Sequence, residues 1–107
     1  MATSKEYLAF ILDQLSLIEG ITHRKMMGEY IIYHHGKIAA YLCDERLLVK
    51  ILPSTQEILP EARHEPPYNG AKDMLLVENV DDREFLRDLF ETMYPELPET
   101  GKKGKKT

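Results

Sequence analysis

Tryptophan is absent from this chain of 107 residues, and cysteine occurs once, at Cys43. One thiol cannot close an internal disulfide or build a sulfur cage for structural zinc, which removes disulfide-stapled secreted scaffolds and the common zinc modules and points to the cytoplasm. Long apolar runs are missing too. The only one of note, Tyr7 to Leu12, is six residues and is cut by Asp13, whereas a bilayer span needs roughly 20, so neither a membrane segment nor a signal-peptide core is expected. No Gly-x-Ser-x-Gly elbow, P-loop, Gly-x-Gly-x-x-Gly, His-Glu-x-x-His or Cys-x-x-Cys pattern is present. With them go the usual signatures of hydrolases, nucleotide and dinucleotide enzymes and metal centres. Positive charge is scarce in the body: four of the 14 Lys and Arg are Lys102, Lys103, Lys105 and Lys106, leaving ten against 18 acids and a formal charge of −8 over residues 1–100. A body so acidic repels phosphate backbones, and the lysine tail is the one strongly basic segment.

What remains, 43% hydrophobic and 30% charged, suits one globular domain with a modest core. Thr3, Ser4, Lys5 and Glu6 read as a capping box. An apolar stripe follows at Tyr7, Leu8, Ile11, Leu12, Leu15 and Ile18 up to Gly20, which places a first helix at about residues 4–18. Ile21 to Leu52 is rich in β-branched and aromatic residues and is punctuated by Gly28, Gly36 and Asp44-Glu45, a meander of four strands. A type II′ turn at Gly28-Glu29 would set Met27 opposite Tyr30, Arg24 opposite Tyr33 and His23 opposite His34. In the fourth strand Leu47, Val49 and Ile51 share one face, and Arg46, Leu48 and Lys50 the other. Ser54 and Glu57 suggest a second capping box for a short crossover helix over Thr55–Leu59 ended by Pro60. Glu65 to Gly70 reads as a surface loop. Met74–Val77 forms a fifth strand, and Asp81 with Glu84 caps a last helix with the stripe Phe85, Leu86, Leu89, Phe90 and Met93. The expected architecture is an α+β two-layer sandwich, with helices on one face of a mainly antiparallel sheet. It occupies residues 1–98, followed by a disordered Lys-rich tail over 99–107. Sheet order 5-1-2-3-4 is preferred.

Opposed His23 and His34 would lie close enough to share a metal ion. No third ligand is identifiable, and His35 is assigned to the other face. The reading is therefore two ordinary histidines and no cofactor. Cys43 precedes Asp44-Glu45, whose carboxylates raise its pKa, the reverse of what a thiolate nucleophile needs. Arg24 and Lys25, with Arg46 and Lys50, make the only basic cluster outside the tail. Arg24 is expected to stack on Tyr33. Tyr30, Ile32 and Tyr33 belong to a strand apolar on both faces, and they mark the candidate interaction surface for a partner or a second copy of the chain.

From Arg24-Lys25-Met26-Met27-Gly28-Glu29-Tyr30, through Tyr33 and Gly36-Lys37, to Asp44–Lys50 (Asp-Glu-Arg-Leu-Leu-Val-Lys), the chain resembles the TfoX N-terminal domain family of bacterial proteins. The likeness covers about residues 4–98, and its motif positions are Arg24, Met26, Gly28, Tyr33, Gly36 and Lys50. It implies an antiparallel α/β sandwich. Full-length TfoX/Sxy competence regulators, which act in transcription, carry a further helical domain that this chain lacks. No catalytic residue is implied. The expected function is a non-catalytic regulatory or adaptor domain that binds another protein. A small metalloprotein or enzyme using His23 and His34 is the second reading. A nucleic-acid-associated regulator working through Lys102, Lys103, Lys105 and Lys106 is the third, without sequence-specific nucleic-acid binding by this chain alone.

Overall fold

The computed structural model describes residues 3–99; the lysine tail lies outside the described residues. Helix α1 spans Lys5–Gln14, and strands β1 (Ile21–Met26), β2 (Glu29–His34), β3 (Lys37–Cys43) and β4 (Arg46–Val49) follow as a meander. Helix α2 (Pro53–Ile58), the two-residue strand β5 (His64–Glu65), β6 (Met74–Val77), helix α3 (Arg83–Met93) and a 3₁₀ turn at Tyr94–Glu96 complete the fold. The class is α+β: one open antiparallel sheet with order β1-β2-β3-β4-β6-β5. No described helix is long and apolar enough to cross a membrane.

The order corrects the expected 5-1-2-3-4. Met74–Val77 pairs with β4, Leu47 opposite Val77 and Val49 opposite Leu75, and does not reach β1. Composition explains the choice. Leu47, Leu48 and Val49 are fully buried, an interior strand needing neighbours on both sides. By contrast β1 carries His23, Arg24 and Lys25 on both of its faces and is exposed after Ile21, the composition of an edge.

Three two-residue hairpins set the register. Positive φ occurs at both central residues of Met27-Gly28 (53° and 86°), His35-Gly36 (50° and 84°) and Asp44-Glu45 (55° and 56°), the type I′ pattern whose twist matches that of the flanking strands. The first turn is therefore Met27-Gly28, not Gly28-Glu29. It is closed by Met26 opposite Glu29, and Lys25 opposes Tyr30, Arg24 opposes Ile31, and His23 opposes Ile32. A bulge between Ile32 and Tyr33 takes up Ala39 as the extra residue of β3.

Ile11, Leu15 and Ile18 meet Tyr30, Ile32, Leu42, Leu47, Val49, Leu75 and Val77 from the sheet and Leu86, Leu89, Phe90 and Met93 from α3 in one core. Each large side chain so buried contributes about 1.5–3 kcal/mol. The stripe of α1 outlasts the helix. Leu15 and Ile18 are buried, but Ser16 and Ile18 donate to carbonyls three residues back, so the chain tightens after Gln14 and Gly20 turns it into β1.

The caps also differ by a residue. Ser4, not Thr3, accepts from Tyr7 N–H at 3.1 Å, and Asp82, not Asp81, accepts from Phe85 N–H at 3.0 Å. At α2 the Ser54 and Glu57 box does not form. Thr55 Oγ1 accepts from Leu52 N–H at 2.7 Å, because the helix already begins at Pro53.

Candidate functional site

All helices lie against one face of the sheet, the side of Tyr30 and Ile32. The opposite, outer face presents Thr22, Arg24 and Met26 from β1, Ile31 and Tyr33 from β2, Tyr41 and Cys43 from β3, and Leu48 from β4, as the pairing requires. Its two halves differ. Over β4 and β6, Cys43, Leu48 and Met74 form a small second core with Tyr41 and Leu76, and Pro67 of the 65–70 loop is buried there. Over β1–β3 no described helix intervenes, and the loop reaches only the margin, where Tyr68 borders Met26, Ile31 and Tyr41.

Arg46 fastens the loop. Its Nε donates to Cys43 O at 3.1 Å, Nη1 to Glu65 Oε1 at 2.8 Å and to Pro66 O at 3.2 Å, and Nη2 to Pro67 O at 3.2 Å. Consecutive prolines provide the acceptors. Arg46 is therefore part of no free basic patch with Arg24. A second knot ties the chain start to the hairpin ends. Buried Thr3 lies with Oγ1 3.0 Å from Glu29 Oε1 and 3.2 Å from Leu42 O and accepts from Glu45 N–H at 3.2 Å. Asp44 N–H also donates to Glu29 Oε1, at 3.1 Å.

Where the loop meets the open half, a cavity of about 370 Å³ is lined by Met26, Met27, Glu29, Tyr30, Ile31, Tyr41, Cys43 and Tyr68. Its rim holds three of the molecule's exposed large apolar side chains: Met27 is 96% exposed, Tyr68 55% and Met26 40%. The Cys43 thiol at its floor is pushed up to about 11, by burial first, then by Glu29 and Asp44, against the pull of Arg46. Burial likewise raises Tyr41, with Tyr68 adding to it. Neither group is primed for nucleophilic chemistry. On the far side of the loop, Lys50, Tyr41, His64, Pro67 and Tyr68 border a wider depression of about 590 Å³.

The sequence-predicted residues divide between these places. Arg24, Met26 and Tyr33 share the open half, while Gly28 and Gly36 serve the turns and Lys50 stands across the loop. Of the proposed interaction trio only Tyr33 is on the outer face. Tyr30 and Ile32 are core residues, 5% and 0% exposed, because they alternate onto the helix side. Arg24 faces Ile31, so the expected pairing with Tyr33 is not formed.

The His23–His34 pair is overturned as well. His23 is exposed and opposes Ile32, and its ring meets Tyr30 edge-on at 6.2 Å. His34 is 4% exposed, opposes Ile21, and stacks on His35 at 4.7 Å and against Tyr94 at 4.9 Å. His35 belongs to the turn rather than to the far face. Burial lowers the His34 pKa, helped by His35 and opposed by Glu91 and the Glu19 main chain. Among the described residues no cluster of three metal-ligating side chains occurs. Sequence reasoning missed Tyr41, Cys43, Tyr68 and Glu29 as neighbours around one cavity. The signal for it was the Pro66-Pro67 pair opposite an arginine.

No solved structure matches the chain. It is 35% identical over 101 residues to a protein of Spirochaeta aurantia described only as an uncharacterized 12.7 kDa protein in the trpE 5′ region, covering 92% of this chain and 86% of that one. The TfoX N-terminal domain profile matches residues 13–95, a span running from the end of α1 through the whole sheet to the turn after α3, and the chain belongs to the TfoX N-terminal domain family.

Proposed function

We propose that this chain is a non-catalytic regulatory or adaptor domain of the cytoplasm, acting in transcription or competence regulation by binding another protein. The binding surface is the open half of the outer sheet face. One observation carries the reading: Arg24, Met26 and Tyr33 converge on the part of the sheet face that no described helix covers. Exposed apolar groups beside a charged one are what a recognition surface needs, and two methionines give it adaptable walls. Burial holds the Cys43 thiol protonated at the cavity floor, which suits a packing role there.

A photo-crosslinking amino acid introduced at Met26, at Tyr33 and, as a control on α2, at Glu57 tests the reading in the native bacterium. Discrete heavier products are expected from the two outer-face positions, lost when Arg24→Glu is added. Adducts only at Glu57, or none at any position, would refute it.

A further inference from the structure

The two edges of the sheet are unlike. One is β5, two residues long, and the other is β1, six residues long and exposed from Thr22 onward. Among the described residues β2 is the only strand hydrogen-bonded to β1, so the other side of β1 offers backbone donors and acceptors to an incoming strand. Its side chains say which strand. Arg24 stands on the outer face, and His23 and Lys25 on the helix side. Among the described residues neither Arg24 nor Lys25 has an ion-pair partner. Next along the outer face comes Met26 at the mouth of the apolar cavity.

We infer that β1 receives an extended acidic segment of a partner protein as a seventh strand. An acidic residue of that segment lies beside Arg24, a second acid beside Lys25 on the opposite face, and a large apolar residue beside Met26, packing at the cavity mouth. Because side chains alternate, the apolar residue and the acid facing Arg24 are two positions apart, with the other acid between them. Glu29 opposes Met26, and its carboxylate disfavours an acid at that end, so a strand added antiparallel to β1, as every pair in this sheet runs, reads apolar-acid-acid from its N-terminus. Main-chain hydrogen bonds supply affinity in this mode, and the flanking side chains supply selectivity.

A second copy of this chain fits less well. Two β1 strands related by a two-fold axis run antiparallel, and pairing along Ile21–Met26 gathers Arg24 and Lys25 of both copies into neighbouring rows, like charge near like charge.

The inference rests on the adaptor reading, and its test is independent of the native partner. A displayed library of random ten-residue peptides is selected on the full chain, and the best binder is mapped by amide hydrogen exchange. Enriched peptides are expected to carry the apolar-acid-acid pattern and to slow exchange of β1 amides at least tenfold. Against an Arg24→Glu, Lys25→Glu variant, whose fold is checked by circular dichroism, the same peptide should bind at least tenfold more weakly, and fresh selection should turn to basic peptides. Peptides without acids, protection elsewhere, no enrichment, or light scattering that finds a dimer with β1 protected would each overturn the edge-strand proposal. If crosslinks at Met26 and Tyr33 persist in any of those cases, the adaptor reading survives without it.

Discussion

His34 is a titratable ring held where charge is unwelcome. It is packed between His35, Phe90 and Tyr94, and its Nδ1 has no hydrogen-bond partner. Burial, with His35 beside it, lowers its pKa, so the unfolded chain takes up this proton first as the solution is acidified. Stability from the neutral ring is complete above the unfolded value of about 6.5 and is lost as pH falls below it toward the folded value. Replacing His34 with Phe keeps the aromatic packing and removes the proton. The wild type should lose more Tm than His34→Phe between pH 7 and pH 5.5, as thermal denaturation followed by circular dichroism would measure. Parallel curves would mean that the ring takes up its proton as readily in the folded protein as in the unfolded chain, and would overturn this account. The residue most suggestive of a metal ligand in the sequence is thus a packing element, and nothing local in the order of residues distinguishes the two. The distinction lies in α3, which covers it from 56 residues away.

At the scale of elements, Arg46 decides how the outer face is divided. It makes three hydrogen bonds to the 65–70 loop, one of them to a carboxylate, and a fourth to Cys43 O in its own hairpin, in a half-buried setting where such charge-assisted bonds are worth about 1.5–3 kcal/mol. Arg46→Met should therefore destabilise the protein by about that much. Exchange should quicken in a peptide spanning 64–73 and stay unchanged in one spanning 30–42, since Tyr30 to Leu42 are paired without it. Hydrogen-exchange mass spectrometry separates this from general loosening.

The elements themselves were legible where a local period carried them. The strand Met74–Val77 is found at its expected bounds, and the stripe of α3 buries Leu86, Leu89, Phe90 and Met93 as its spacing implies. Register was not, because Met27 adopts a positive φ that its side chain alone does not advertise, moving the turn back by one residue and every β1–β2 partner with it. Strand order escaped for a related reason: adjacency to β4 depends on burying both faces of Leu47, Leu48 and Val49, a property visible only once the competing edge is compared. The open surface was anticipated as a sheet face left bare by the helices, but the loop that halves it was read as mere connection.

For the whole molecule, charge is the governing quantity. The full chain carries a formal −4, and without its four terminal lysines the body carries −8. Four lysines contact at most about four phosphates, a slope near −3 to −4 for log affinity against log salt. Duplex DNA should therefore bind weakly at low salt and without sequence preference, and be released by about 150 mM, where the screening length is about 8 Å. Truncation after Glu99 should abolish that binding. A fluorescence-anisotropy titration over salt concentration checks it, and tenfold discrimination between sequences at 150 mM would contradict it.

The unequal ends of the sheet also fix how many neighbours the molecule can have. A blunt two-residue strand at one end and a six-residue strand at the other give it a valence of one. A sheet with two usable margins can add copies head to tail without limit, the geometry of a filament. Here growth stops after a single addition, since whatever joins at Ile21–Met26 finds no second margin of comparable length behind it. On the edge-strand proposal, recognition by strand addition is thereby separated from polymerisation. The free side of β1 can stay open at high concentration without seeding fibres of the protein itself.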